Sequence, residues 1–157
     1  MHSGTSRVAG PATGHVRWIR DLGANVTPGP VVGADGTIYA ATNSGVLHAL
    51  DPTTGLDRWT FDGVRVRDGH LVRRVQGMGR HPAGPSSIGI WTSPAIDRDG
   101  NLYFGTRPGH IYGFAADGRR ILDINAHATV DSYPAIAADG TLLIGATNGT
   151  LYAIGDR

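Results

Sequence analysis

The residues able to do chemistry are few in this 157-residue chain, and one stretch concentrates them. Arg65, Arg67, Arg73, Arg74 and Arg80 crowd into Asp62–Ile90 against two acids, Asp62 and Asp68, with His70 and His81 beside them. Guanidinium groups grip carboxylates and phosphates through paired donors, so these five arginines are candidate anion contacts. The same density of charge also suits a solvated loop. Trp91 follows the stretch and offers a flat indole on which a planar ligand can stack. His48 and His110 carry imidazoles, but neither has a second ligand at local metal spacing. Ser86, Ser87 and Ser93 lack the neighbouring His–acid pair that activates a nucleophile. With no cysteine in the chain, disulfides and thiolate metal sites are excluded.

Composition says what must hold these residues. All fourteen basic residues are Arg and all thirteen acids are Asp, so most of the strong helix formers beyond Ala and Leu are nearly absent. Gly (24 residues) and Pro (9) are common and punctuate turns. The expectation is an all-β chain of short strands. A net charge of +1 gives no reason to invoke nucleic acid. No apolar run approaches the roughly 20 residues of a membrane span. The first residues, MHSGTSRVAGPATG, lack the apolar centre of a signal peptide, so either the protein is cytoplasmic or a targeting segment lies outside this sequence.

The chain repeats itself. TPGPVVGADGTIYAATNSGVLHALD from Thr27, WTSPAIDRDGNLYFGTRPGHIYGFA from Trp91 and DSYPAIAADGTLLIGATNGTLYAIG from Asp131 align without a gap. Pro30, Pro94 and Pro134 coincide, as do Gly36, Gly100 and Gly140, then Gly45, Gly109 and Gly149. Each copy reads as three strands: one after the proline, one after an Asp-Gly turn, and one after a second glycine turn. Thr27, Trp91 and Asp131 hold equivalent places at the entry to the first strands and are candidate ligand contacts at a channel end. The stretch ALDPTTGLDRW (Ala49–Trp59) supplies a turn, shaped by Asp51 and Gly55, and a fourth strand carrying Trp59. Thr13-Gly14-His15-Val16-Arg17-Trp18 repeats the end of that phrase, so the chain is expected to open on a fourth strand over Gly14–Arg20. Units of about 40 residues with four short strands are the pattern of β-propeller blades.

Ala49, Asp51, Thr54, Gly55 and Trp59 fit the docking phrase A-x-D-x-x-T-G-x-x-x-W, and the chain thereby resembles the pyrroloquinoline-quinone-like propeller repeats. The family includes quinoprotein alcohol dehydrogenases and non-enzymatic propellers, among them the lipoprotein that assists outer-membrane barrel assembly. The resemblance implies a partial β-propeller over residues 13–157, after an N-terminal extension at 1–12, with Trp18, Asp51, Gly55 and Trp59 docking blades. The third copy departs from the phrase: its turn at Ala115–Leu122 is shorter, and Leu122 stands where tryptophan would. Residues 62–90 break the frame, since Pro30 and Pro94 are 64 residues apart but Pro94 and Pro134 only 40. They read as an inserted loop or as the place where intermediate blades are absent, and VRV and HLVRRV are the candidates for a short hairpin within them.

The resemblance leaves two functional readings. A quinone-dependent enzyme needs a stacking Trp, calcium held by oxygen ligands and a catalytic carboxylate, and relatives often add adjacent cysteines. Glu and Cys are both absent here, so the usual calcium carboxylate and cysteine ring cannot be placed. The leading expectation is a non-catalytic scaffold without cofactor, binding a protein or small ligand. The alternative is a fragment of a quinoprotein dehydrogenase, using pyrroloquinoline quinone and Ca2+. Family relatives are commonly exported, which implies an extracytoplasmic home. About three blades' worth of sequence falls short of the usual four to eight, so either a longer propeller or a homodimer completing a ring is expected.

Overall fold

The computed structural model describes residues 10–62, 66–67, 70–71 and 89–156, the two short pairs by their backbone. The first blade runs β1 (Val31–Val32), β2 (Ile38–Ala41), β3 (Val46–Leu50) and β4 (Asp57–Asp62), hydrogen-bonded in that order. The inserted segment contributes β5 (Val66–Arg67) paired with β6 (His70–Leu71), the expected hairpin in its shortest form. Arg65, Arg73, Arg74 and Arg80 lie outside the described residues. The second blade is β7 (Ala95–Ile96), β8 (Leu102–Gly105), β9 (His110–Phe114) and β10 (Arg120–Asn125); the third is β11 (Ala135–Ile136), β12 (Leu142–Gly145) and β13 (Leu151–Ile154). Every pairing is antiparallel. The described residues contain no helix long and apolar enough to cross a membrane.

The Asp-Gly turns work as read from the sequence, with one refinement. Gly36 N–H bonds to Gly33 O and Gly33 N–H to Thr37 O, so the turn proper precedes the glycine. Gly36 then reverses the chain at φ 82°, a left-handed value that glycine adopts without strain. Equivalent Gly100 and Gly140 have φ 82° and 88°.

Two cores lie between blades rather than within them. Tyr39, Ala41, Leu47 and Ala49 of the first blade pack against Leu102, Phe104, Tyr112 and Phe114 of the second. Phe61 of β4 joins them, its ring centroid 4.5 Å from Phe114 and 5.2 Å from Tyr112. Ile111, Ala126 and Val130 meet Leu142 and Ile144 of the third blade in the other core. Each fully buried side chain of this size stabilises by about 1.5–3 kcal/mol. A single sheet cannot cover both its faces, which is why blades must stack.

One expectation is corrected. Residues 14–20 do not form a strand. A strand exists only by its ladder, and no described strand lies beside this segment. Its docking residue nonetheless behaves as a fourth-strand residue should.

Candidate functional site

The blade junctions show how the docking phrase operates. Trp59 donates from Nε1 to Ala116 O of the second blade at 2.9 Å, and its ring covers Gly118. Trp18 does the same one blade earlier, donating to Pro52 O at 3.0 Å and covering Gly55. A Cβ on Gly55 would lie 2.7 Å from the Trp18 ring, and Gly55 has φ 69°. Gly55 and Trp59, neighbours in one phrase, therefore serve different junctions. The glycine receives the preceding tryptophan, and the tryptophan reaches the following glycine. Asp51 shapes the receiving turn by accepting the backbone N–H groups of Thr53 and Thr54, both at 2.9 Å. The shortened Ala115–Leu122 turn still receives Trp59 on Gly118. Leu122 packs into the second core where tryptophan would stand.

A junction feature that sequence reading missed lies on the outer strands. His48 is buried, and its Nδ1 sits 2.7 Å from Asp57 Oδ1, while Arg20 donates to Asp57 Oδ2 at 2.7 Å. Asp57 thus ties the third strand of its own blade to the segment before it. In the second blade His110 Nδ1 meets Asp123 Oδ1 at 2.8 Å. The His48–Asp57 pairing crosses a bulge in the β3–β4 register between Ala49 and Leu50. Bulges shift which side chains share a face, so a plain two-residue alternation could not predict that partner for His48.

Thr27, Trp91 and Asp131 sit at equivalent places beside the turns between second and third strands. Backbone bonds fix the three entries alike: Asn43 N–H to Asn25 O, Arg107 N–H to Gly89 O, and Thr147 N–H to Thr129 O. Thr27 and Asp131 are exposed, whereas Trp91 is half-buried. The Arg107 guanidinium carbon lies 4.4 Å from the centroid of the Trp91 ring. That stacking occupies one ring face, which leaves a planar cofactor only the other. Together with the absence of Glu and Cys from the sequence, the residues here do not fit a quinone–calcium centre. Among the described residues no three His, Cys, Asp or Glu side chains are grouped to hold a metal ion.

The concave surface lies elsewhere. The three first strands β1, β7 and β11, each with the proline before it (Pro30, Pro94 and Pro134), wall an open groove of about 1280 Å³, with Asp97, Asp99, Asp139 and Asp156 on it. Thr27, Trp91 and Asp131 do not line it. The signal was present in the sequence, as a proline and two apolar residues repeated in frame, but read as strand starts rather than as a shared wall.

The turn aspartates have a measurable consequence. Hydrogen bonds from the Thr37 side chain and backbone hold the Asp35 carboxyl below the usual carboxylate range. The Thr54 and Thr53 amides do the same for Asp51, and the amide and hydroxyl of Thr141 for Asp139. Burial pushes Asp97 up, but bonds from Asn101, Asp99 and Tyr103 outweigh it and lower the group. A carboxyl lowered by folding contributes stability above its unfolded pKa of about 3.9, and that contribution is lost as pH falls through the lower folded value. Thermal unfolding followed by circular dichroism is therefore expected to show a melting temperature that falls as the pH drops below about 4.

Blades of this size, order and docking chemistry define a partial β-propeller of pyrroloquinoline-quinone-like repeats. Comparison with known proteins agrees. Residues 3–69 match the family model described as outer membrane protein assembly factor BamB. The chain is 30% identical over 148 residues to the outer membrane protein assembly factor BamB of Escherichia coli K12, covering 83% of this chain and 37% of that protein. The same figures hold for BamB of Shigella dysenteriae serotype 1. The crystal structure of BamB from Moraxella catarrhalis superposes with a TM-score of 0.61 at 23% identity, covering 90% of this chain and 37% of that one, a likeness of fold. The chain thus spans little more than a third of the length of the relatives it matches.

Proposed function

We propose that this chain is a non-catalytic interaction scaffold that works outside the cytoplasm, in the assembly of outer-membrane proteins. The alignment with an outer membrane protein assembly factor over most of this chain carries the reading. The groove supports it. Small-molecule pockets are typically closed clefts of about 300–1,000 Å³, whereas this surface is larger, open and walled by residues of three blades. Such a wall suits an extended protein segment. Thr27, Trp91 and Asp131 would add contacts at the far end of the same strands, and the arginines of the inserted segment would meet acidic groups on the partner.

The test is photo-crosslinking from a reactive residue placed at Ile96 or Ile136 in Gram-negative cell envelopes. Adducts with outer-membrane proteins or their assembly machinery are expected. Adducts confined to unrelated soluble proteins would count against the reading. The enzymatic alternative is checked separately, by titrating pyrroloquinoline quinone with Ca2+ and following thermal unfolding. No shift is expected, and a saturable, calcium-dependent shift would favour the dehydrogenase reading.

A further inference from the structure

We propose that the groove takes an extended protein segment carrying an arginine or lysine among apolar residues, and that the basic group binds at Asp99 of the second blade. The inference rests on the scaffold reading and names the chemistry of its partner. The first blade supplies the template.

In that blade the Asp-Gly turn between β1 and β2 has its own cation. Arg58 of β4 donates to Asp35 Oδ2 at 3.1 Å and to Asp51 Oδ2 at 3.3 Å, and also to the Thr37 hydroxyl. Arg58 stands at the bulge of its outer strand. Asp57 before it pairs with Leu50, and Trp59 after it pairs with Ala49.

The second blade keeps this geometry and loses the cation. Its outer strand has the same bulge, between Arg120 paired with Phe114 and Leu122 paired with Gly113, and the residue at the bulge is Ile121. In the repeat frame Asp99 holds the place of Asp35, and Asn101 that of Thr37. Among the described residues the guanidinium beside Asp99 is that of Arg98, 3.6 Å away, with the two side chains 92% and 69% exposed. An ion pair so open to water contributes little. Ile121 is exposed, as Arg58 is. Both blades lie inside the chain, and they differ here by one substitution at one repeat position.

This corner opens on the groove. Asp99 and Ile121 line it together with Ile96, Asp97, Ile136 and Asp139. The charged residues of the lining are four aspartates and one arginine, Arg98, although the chain as a whole carries +1. Asp97 is already full: it accepts the amides of Asp99 and Asn101, the Asn101 side chain and the Tyr103 hydroxyl. Asp99 is where a new donor fits. Arginine and lysine suit the corner twice over, since their stems lie along apolar surface while their heads reach a carboxylate. Apolar neighbours in the same segment then meet Ile96 and Ile136. An acidic segment is repelled, and a basic segment without apolar residues gains only the charge.

Fluorescence anisotropy with short labelled peptides tests the proposal. A peptide alternating Val and Arg is expected to bind saturably, and more weakly as salt is raised. A Val–Glu peptide should not bind, and a Ser–Arg peptide should bind about tenfold less tightly. Ile121→Arg supplies within the chain the guanidinium that Arg58 provides in the first blade, and should weaken the Val–Arg peptide by about tenfold or more. Asp99→Asn should weaken it by about fivefold. Both side chains are exposed, so circular dichroism should stay unchanged. No saturable binding of the Val–Arg peptide, equal binding of either control peptide, or an affinity indifferent to Ile121→Arg or to Asp99→Asn would each overturn the proposal. Crosslinks from Ile136 to outer-membrane proteins that persist undiminished in Ile121→Arg would remove this inference and leave the scaffold reading standing. Peptide binding as expected, without such crosslinks in the unmodified chain, would do the reverse.

Discussion

Trp59→Ala is expected to lower the unfolding free energy by about 3–5 kcal/mol, the usual cost of removing a large aromatic from a packed site. The residue joins two blades through three kinds of contact. Its ring stacks with Phe114 at 6.4 Å and tilts against Tyr39 at 5.8 Å. It closes over Gly118, and its indole N–H satisfies Ala116 O. The alanine variant leaves a hollow between blades and frees that carbonyl, whereas Trp59→Phe keeps most of the packing and loses the bond. Urea unfolding should therefore rank the wild type above Trp59→Phe, and Trp59→Phe above Trp59→Ala. Trp18→Ala should cost less, since Trp18 anchors a segment without a ladder. A loss at Trp59 below about 1 kcal/mol, the size of an ordinary substitution, would mean that the Phe61 cluster alone holds the blades together.

The repeat was legible because its carriers are backbone necessities. Gly36, Gly100 and Gly140 occupy left-handed positions, and a Cβ there is strained, so the frame is written in glycine. The blade order follows from that frame. Side-chain partners were less legible, for two reasons. A bulge reassigns faces locally, which hid the Asp57–His48 contact until the register was known. Contacts between blades also depend on how sheets stack, and periodicity within one sheet says nothing about that. Trp91 illustrates the second reason: its place before Pro94 suggested a platform, but Arg107 comes from the turn between β8 and β9 to lie on the ring. The strand expected at Gly14–Arg20 has its docking tryptophan in place and lacks only the ladder, because pattern encodes what a strand offers and not whether a neighbour is present.

Gly89→Ala should be the most damaging single-methyl change at the candidate site. A Cβ on Gly89 would lie 2.2 Å from Asn43 O and 2.6 Å from Trp91 Nε1. Neither neighbour yields easily, since one is main chain and the other belongs to an indole pinned beneath Arg107. The equivalent position in the third blade shows that a side chain is not forbidden in itself. Thr129 fills it and donates its hydroxyl to Arg107 O at 3.0 Å, the counterpart of Asn43 O. The second blade entry is drawn closer, and the space goes to Trp91. Overpacking of this kind costs about 1–3 kcal/mol, and here it must also displace the indole. Gly89→Ala is therefore expected to lower stability in urea by that amount and to shift the tryptophan emission. Gly14→Ala, where no atom lies within 4 Å of the added carbon, should do neither. If Trp91 serves mainly as a contact for a partner rather than as packing, the result inverts: partner crosslinking would fall while the unfolding curve stayed in place. The two measurements on one variant thus separate a tryptophan that holds the blades from a tryptophan that waits for a ligand.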